Sequence, residues 1–331
     1  MSTSKLQHNL IETIEGGLRD LDIPESPQTL YEPYIYAIGV GGKRIRPLLT
    51  LLSCGLCKGN IKYALPAALA IEILHNFTLV HDDIMDSADT RRGKPSVFSK
   101  WNENIAILSG DVMFADAYRQ IGWYGTHPSF SKDEFADIHK IFLDAVVTVC
   151  EGQALDMEFV GRTSVSHQEY IHMISGKTAA LLAGAFEIGA ITAHASNAQR
   201  KKLHNIGIEL GIAFQMQDDL LDATADPEKF GKRPGGDIFE GKKTYLTILT
   251  LERTETDDAA FINQVLKSSK PKEKDVNQVL QIMEANDVLH DVEQEIAKHY
   301  DNVMHLLRDF DPSEYKQELV NLFTFLKERD H

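Results

Sequence analysis

Two acidic clusters of identical spacing, Asp82-Asp83-Ile84-Met85-Asp86 and Asp218-Asp219-Leu220-Leu221-Asp222, each interrupt a stretch that otherwise has the spacing of a buried apolar helix. On a helix advancing about 100° per residue, the three aspartates of each D-D-x-x-D fall within one arc of about 100°. Three carboxylates on one face repel one another, and positive charge between them relieves the repulsion. The donors are hard oxygens with no histidine or thiol pattern of ligand spacing beside them. That set suits Mg²⁺ bridging one or two carboxylates to substrate phosphates.

Basic residues accompany both clusters. His75 precedes Asp82 by two helical turns, and Arg91-Arg92 follows Asp86, with Gly93 and Pro95 ending the helix. The paired guanidiniums allow two readings, an internal salt bridge to the aspartates or a bidentate grip on phosphate. Upstream, Lys43, Arg44 and Arg46 crowd a helix start that Pro47 suits. Unpaired N–H groups there favour an anion, although a solvated basic patch fits equally well, and no G-x-x-x-x-G-K-[ST] nucleotide loop is present. Around the second cluster, Gln215 shares the face of Asp218, and Lys232-Arg233 and Lys242-Lys243 follow it. Lys177, alone in the apolar helix Ser175–Ala180, either snorkels to the surface or binds a diphosphate, and its company favours the diphosphate.

Long helices must position these groups. Apolar residues recur at helical spacing through 67–80, 105–118, 135–149, 179–191 and 203–221, while alternating strand-like runs are scarce, so the expected class is all-α. Breakers at 22–28, 125–132, 231–241, 268–274 and 309–313 are short, and no linker stands out, so one domain over 1–331 is expected. Beyond about Glu252 no motif is legible, and that part is read as helical packing and dimer support. The net charge of −15 argues against nucleic-acid or anionic-membrane binding. The sequence shows no evident run of 18 apolar residues and a polar start, which predicts a soluble cytoplasmic protein without a stable membrane anchor. Cys54 and Cys57 form a C-x-x-C with no second pair for zinc and no βαβ context for redox work, so they are read as small buried residues.

Taken in order, GGKRIRP, LVHDDIMD, RRGKP, GKTAALL, FQMQDDLLD and GKRPGGDIFEGKKT resemble the motifs of the trans-isoprenyl diphosphate synthases, the farnesyl and geranylgeranyl diphosphate synthases and other polyprenyl synthetases, across roughly residues 30 to 250. The resemblance implies an isoprenoid synthase helical bundle around a large central cavity, usually a homodimer. It places isopentenyl diphosphate on Lys43, Arg46, His75 and Arg92. It places the allylic diphosphate (dimethylallyl, geranyl or farnesyl) on Arg91, Lys177, Thr178, Gln215, Lys232 and Lys242. A trinuclear Mg²⁺ site would use Asp82, Asp86 and Asp218, with Asp83 and Asp222 assisting, and Asp219 and Lys177 stand with them among the implied catalytic residues. The chain departs from the family pattern at Leu246, where many members have proline, and at Val97-Phe98-Ser99.

The chemistry expected is ionisation of an allylic C–O bond, 1'-4 condensation with isopentenyl diphosphate and loss of a proton. Cations would stabilise the leaving diphosphate, and an apolar cavity would keep water from the carbocation. By resemblance, Phe77, five residues before the first aspartate, with Thr78 beside it, limits elongation, which suggests geranylgeranyl or farnesyl diphosphate as product. On a helical wheel Phe77 lies about 140° from Asp82, so geometry alone does not make it the floor. The alternatives are a longer-chain synthase, a class I terpene cyclase and a non-catalytic synthase subunit. A cyclase is disfavoured by Asp222 and Asp226 standing where its second cluster carries Ser/Thr and Glu. A non-catalytic subunit is expected to have lost ligands, and none is missing.

Overall fold

The computed structural model describes residues 4–224 and 234–328. The chain gathers into two compact units, one comprising residues up to Phe142 with Ala185–Leu203 and Asp311–Leu319, the other Leu143–Gly184, His204–Phe310 and residues from Val320. Helices dominate both, as the all-α reading expects.

The first unit contains α1 (Lys5–Arg19), α2 (Gln28–Gly39), α3 (Ile45–Leu56), α4 (Ile61–Met85), the four-residue α5 (Val97–Lys100) and α6 (Glu103–Gly122). Helix α4 is its centre, packed by α1, α3 and α6. Ala64, Ala67, Ala70, Ile71, Ile73 and Leu74 are all fully or almost fully buried, so α4 is apolar nearly all round, as a core helix must be. Asn60 caps its start by accepting the N–H of Lys62, and Asp86 is its C-cap. The aspartates thus ride the last turn of a helix whose other turns are locked in the core.

Between α4 and α5 lies an element the sequence reading does not anticipate. Thr90–Arg91 (β1) and Lys94–Pro95 (β2) pair antiparallel, with Arg91 opposite Lys94. The two turn residues, Arg92 and Gly93, both have positive φ, 53° and 73°, the signature of a type I' turn whose twist matches its strands. Glycine suits the second position, and Arg92 holds a left-handed conformation that non-glycine residues seldom adopt. The hydroxyl of Tyr36 on α2 donates to the Pro95 carbonyl at 2.8 Å and ties this hairpin down.

Helix α7 (Lys132–Gly161), α8 (His167–Ile174), α9 (Ala180–Thr192) and α10 (Asn197–Thr224) follow, with a single π turn, Ser175–Ala179, joining α8 to α9. A capping box between Ser166 and Glu169 starts α8. Among the described residues the remaining helices are α11 (Gly236–Phe239), α12 (Tyr245–Arg253), α13 (Thr256–Leu266), α14 (Glu273–Ala285), α15 (Val288–Leu307) and α16 (Glu314–Lys327). This motif-free C-terminal part buttresses α10. Tyr300 donates to Gln217 at 3.1 Å, Gln217 donates to the Lys327 carbonyl at 3.1 Å, and His299 meets Glu209 at 2.7 Å. Gln217 immediately precedes the second acidic cluster, so these contacts set the roll of α10 there.

One expectation needs correcting. Ile61–Met85 and the continuous helical stretch His167–Thr192 are long and apolar enough to cross a membrane by length and composition. Most of each apolar window is buried inside the protein, 61% and 78%, which is the behaviour of core helices.

Candidate active site

In the first unit, His75, Phe77, Thr78, Asp82 and Asp83 all stand on α4 and Asp86 closes it. The three aspartates do not share one environment. Asp83 is 3% exposed and turns inward, where Arg91 of the hairpin holds its Oδ1 through Nε at 2.9 Å and Nη2 at 2.5 Å. Burial pushes the Asp83 carboxyl up, and Arg91 opposes the shift. Asp82 is half-buried and Asp86 exposed. An ideal wheel sets the three on one arc, but a hairpin arginine eight residues along the chain selects the middle one. Arg91 therefore occupies the internal salt bridge that the sequence left open as one of two readings.

Three more arginines gather around His75. Arg46 Nη1 lies 3.2 Å from its Nε2. A guanidinium only donates, so Nε2 accepts and the ring proton belongs on Nδ1. Burial first, then the charges of Arg46, Arg92, Arg91 and Arg44, holds the His75 imidazole well below its usual range, so it is neutral. Arg92 is itself pushed down, chiefly by burial, with Arg44 and Arg91 adding to the effect. Its guanidinium packs against Gly42, whose φ of 155° is the feature that favours glycine on the approach to α3. Arg44 has a different role from its neighbours. It is 4% exposed and donates to Glu15 at 2.7 Å, Glu72 at 2.6 Å and the Ile38 carbonyl at 2.9 Å. Lys43, next to it, is exposed. A cleft runs beneath the hairpin, lined by Asn76, Leu79, Asp83, Arg91, Arg92 and Tyr36 among others. Phe77 packs against Phe114 of α6 at 5.8 Å and His81 at 4.7 Å, and Thr78 returns its hydroxyl to the His75 carbonyl at 2.8 Å.

In the second unit a pocket is lined by Asp156, Tyr170, Lys177, Gln215, Asp219, Asp237, Lys242 and Thr244, among others. Lys177 sits in the π turn, a distortion that recurs at functional sites. Two glycines bring that turn against α7. A Cβ at Gly152 would fall 2.1 Å from the Lys177 nitrogen, and one at Gly176 would fall 2.9 Å from the Thr148 carbonyl. One turn beyond Gly152, Asp156 pairs with the Lys177 ammonium.

The second cluster repeats the pattern of the first. Its middle member, Asp219, is 7% exposed and held inside by Tyr170, whose hydroxyl donates at 2.6 Å, and by Gln215, whose Nε2 donates at 2.9 Å. Burial pushes the Asp219 carboxyl up to about 6 against those two donors. Thr178 donates to the Gln215 carbonyl oxygen at 2.7 Å, so both residues belong to this hydrogen-bonded chain. Asp218 is half-buried. Asp222 accepts the N–H of Asp237 at 2.9 Å at the start of α11. Lys242 pairs with Glu240 at 2.5 Å and Asp237 at 3.4 Å, and these carboxylates raise its pKa although burial works against its charge. Lys232 lies outside the described residues.

Asp156, Tyr170 and Asp237 were not singled out from the sequence. Nothing local marks Asp156, because the same helix also carries Asp137, Asp144, Glu151 and Glu158.

The residues fit a hard divalent cation. Both acidic clusters lie at helix C-termini, where the dipole is negative and carboxylates are least favoured, so a cation relieves helix and side chains together. Among the described residues no three His, Cys, Asp or Glu side chains already form a metal cage. Mg²⁺ sites normally take further ligands from phosphates and water. The cysteines show no redox geometry. Burial pushes the Cys54 thiol up to about 11 and that of Cys57 to about 12, where a thiolate is scarce.

A family model described as polyprenyl synthetase matches residues 27–283. The chain is 38% identical over 320 residues to a short chain isoprenyl diphosphate synthase of Methanothermobacter thermautotrophicus, covering 97% of this chain and 95% of the relative. It is 38% identical over 276 residues to a geranylgeranyl diphosphate synthase of Saccharolobus solfataricus, covering 83% and 82% respectively. The crystal structure of geranylgeranyl pyrophosphate synthetase from Pyrococcus horikoshii superimposes with a TM-score of 0.91 at 33% identity, over 98% of each chain.

Proposed function

Because the chain belongs to the polyprenyl synthetase family, we propose that it is a short-chain isoprenyl diphosphate synthase, joining isopentenyl diphosphate 1'-4 to an allylic diphosphate and yielding geranylgeranyl or farnesyl diphosphate. One observation carries the residue assignment. On α4, a neutral histidine ringed by four guanidiniums stands two turns before a pair of outward carboxylates, which puts an anion site and a cation site on one rigid rod.

The cations Arg46 and Arg92, with neutral His75 between them and Lys43 at the edge, take the diphosphate of isopentenyl diphosphate. Neutral His75 orients Arg46 by accepting from it. Lys177 and Lys242 take the allylic diphosphate, with Asp156 and Asp237 holding the two ammonium groups in the pocket beforehand. Mg²⁺ held at each acidic cluster, by Asp82 and Asp86 and by Asp218, would offset the charge that develops on the leaving diphosphate. Preorganised cations matter because that charge appears only in the transition state. The Phe77–Phe114 pair behind the first cluster supplies apolar wall where water must be excluded, and it caps the growing chain. No named side chain is placed as a general base, and the released diphosphate takes the proton.

Ile107, Leu108 and Tyr118 leave apolar surface exposed on α6, which supports a homodimer. The test is incubation with Mg²⁺, isopentenyl diphosphate and dimethylallyl, geranyl or farnesyl diphosphate, followed by product chain-length analysis. No condensation product from any starter, and no effect of EDTA, refutes the assignment.

A further inference from the structure

Tyr170 lies on α8, 49 residues from the acidic-cluster residue it meets. It is 1% exposed, and its hydroxyl is committed to Asp219 Oδ2 at 2.6 Å. Gln215 takes the other oxygen of that carboxylate, and Thr178, adjacent to Lys177, orients Gln215 in turn. The Tyr170 ring stands edge-on to Tyr245 at 5.8 Å, and Tyr245 follows directly on Lys242, Lys243 and Thr244 of the pocket wall. One buried phenol thus joins the acidic cluster, the π turn that carries Lys177 and the segment that carries Lys242.

We propose that Tyr170 is a positioning residue for the diphosphate and its cations: by fixing Asp219 inward it sets the roll of α10 that presents Asp218 outward, and it holds Gln215 and Thr178 in register with Lys177. A carboxylate needs both oxygens satisfied to be stable in such a buried place, and a hydrogen bond to a charged group is the strong kind. The proposal rests on the functional reading above, in which the second cluster serves a metal–diphosphate complex.

The test compares Tyr170→Phe, Asp219→Asn, the double variant and Asp218→Asn. Binding of inorganic diphosphate is measured by calorimetry at a series of Mg²⁺ concentrations, alongside the two KM values and the melting temperature. Tyr170→Phe keeps the ring and loses only the hydroxyl. Expected are an apparent diphosphate affinity and allylic kcat/KM about tenfold lower, with the KM for isopentenyl diphosphate unchanged. The double variant is expected to be no worse than Asp219→Asn, because the tyrosine acts through that carboxylate. Diphosphate binding within twofold of the parent in Tyr170→Phe, while Asp218→Asn weakens it, overturns the role of Tyr170. So does a lowered melting temperature with binding untouched, or full additivity in the double variant. Unchanged binding in Asp218→Asn as well overturns the functional reading of the second cluster itself. If Tyr170→Phe does not fold, the same comparison is made with Gln215→Leu and Asp219→Asn, where additivity refutes the shared chain.

Discussion

Gly152→Ala adds one methyl group at the closest approach in the second unit. The new Cβ would sit 2.1 Å from the Lys177 nitrogen, 2.7 Å from the Gly176 carbonyl carbon and 2.8 Å from the Lys177 Cα. Ordinary contact begins near 3.4 Å, so α7 and the π turn must part by roughly 1.3 Å. The obstructing atoms are backbone and cannot swing aside. Overpacking of this kind costs about 1–3 kcal/mol, and the rigidity of the contact favours the upper part of that range. For 331 residues, each contributing about 2.1 cal/mol/K to the unfolding entropy, that corresponds to a fall in melting temperature of about 3–4 °C. The displaced group is Lys177, and a misplacement of about 1 Å lowers catalysis about 100-fold. Thermal melts and steady-state condensation kinetics check both numbers. Gly122→Ala is the control. It is helical, with φ −56°, and a Cβ there meets nothing within 4 Å, so it is expected to gain about 0.4–1 kcal/mol with unchanged kinetics. A Gly152→Ala enzyme that melts with the parent and keeps kcat/KM within twofold would refute the claim that this contact positions Lys177.

Arg44→Met leaves Glu72 buried without its ion pair and is expected to cost about 3–5 kcal/mol in urea denaturation; a loss under about 1 kcal/mol would show that the pair is dispensable. His75 is held below its unfolded pKa of about 6.5, so it contributes nothing above that pH, and folding stability is lost as pH falls beneath it. His75→Gln should flatten the slope of stability against pH below 6.5 by up to about 1.4 kcal/mol per pH unit, and identical slopes would contradict a neutral buried imidazole. Phe77→Ala opens the wall it shares with Phe114, and longer products are expected by chromatography of the dephosphorylated prenols; an unchanged product distribution rules out the chain-length role.

What the sequence revealed and what it hid follow one physical division. The helices around 67–80, 105–118 and 203–221 were legible because apolar periodicity is local, and the structure only lengthens them, α4 for example to 61–85. The acidic and basic motifs were legible because charge in an apolar helix demands a reason. Hidden were the facings decided by partners far along the chain. Asp83 is claimed by a hairpin, Asp219 by Tyr170, and Arg44 by Glu15 and Glu72. A helical wheel assigns direction from spacing alone and cannot see them. The π turn at Lys177 was also invisible, since it arises where Gly152 and Gly176 let two backbones touch, and no sequence period records such a contact.

The lysines of the second pocket carry a consequence for what the enzyme admits. Lys177 already has Asp156, and Lys242 has Asp237 and Glu240. The pocket therefore behaves as an ion exchanger in its stored form rather than as an open cationic trap. A passing chloride, or a phosphate without metal, gains a lysine only by leaving a carboxylate without its ion pair. An anion that arrives with its own divalent cations satisfies the lysines and the displaced carboxylates in the same exchange. If Lys177 and Lys242 hold the allylic diphosphate as proposed, these pairings favour the metal-loaded diphosphate over a bare anion.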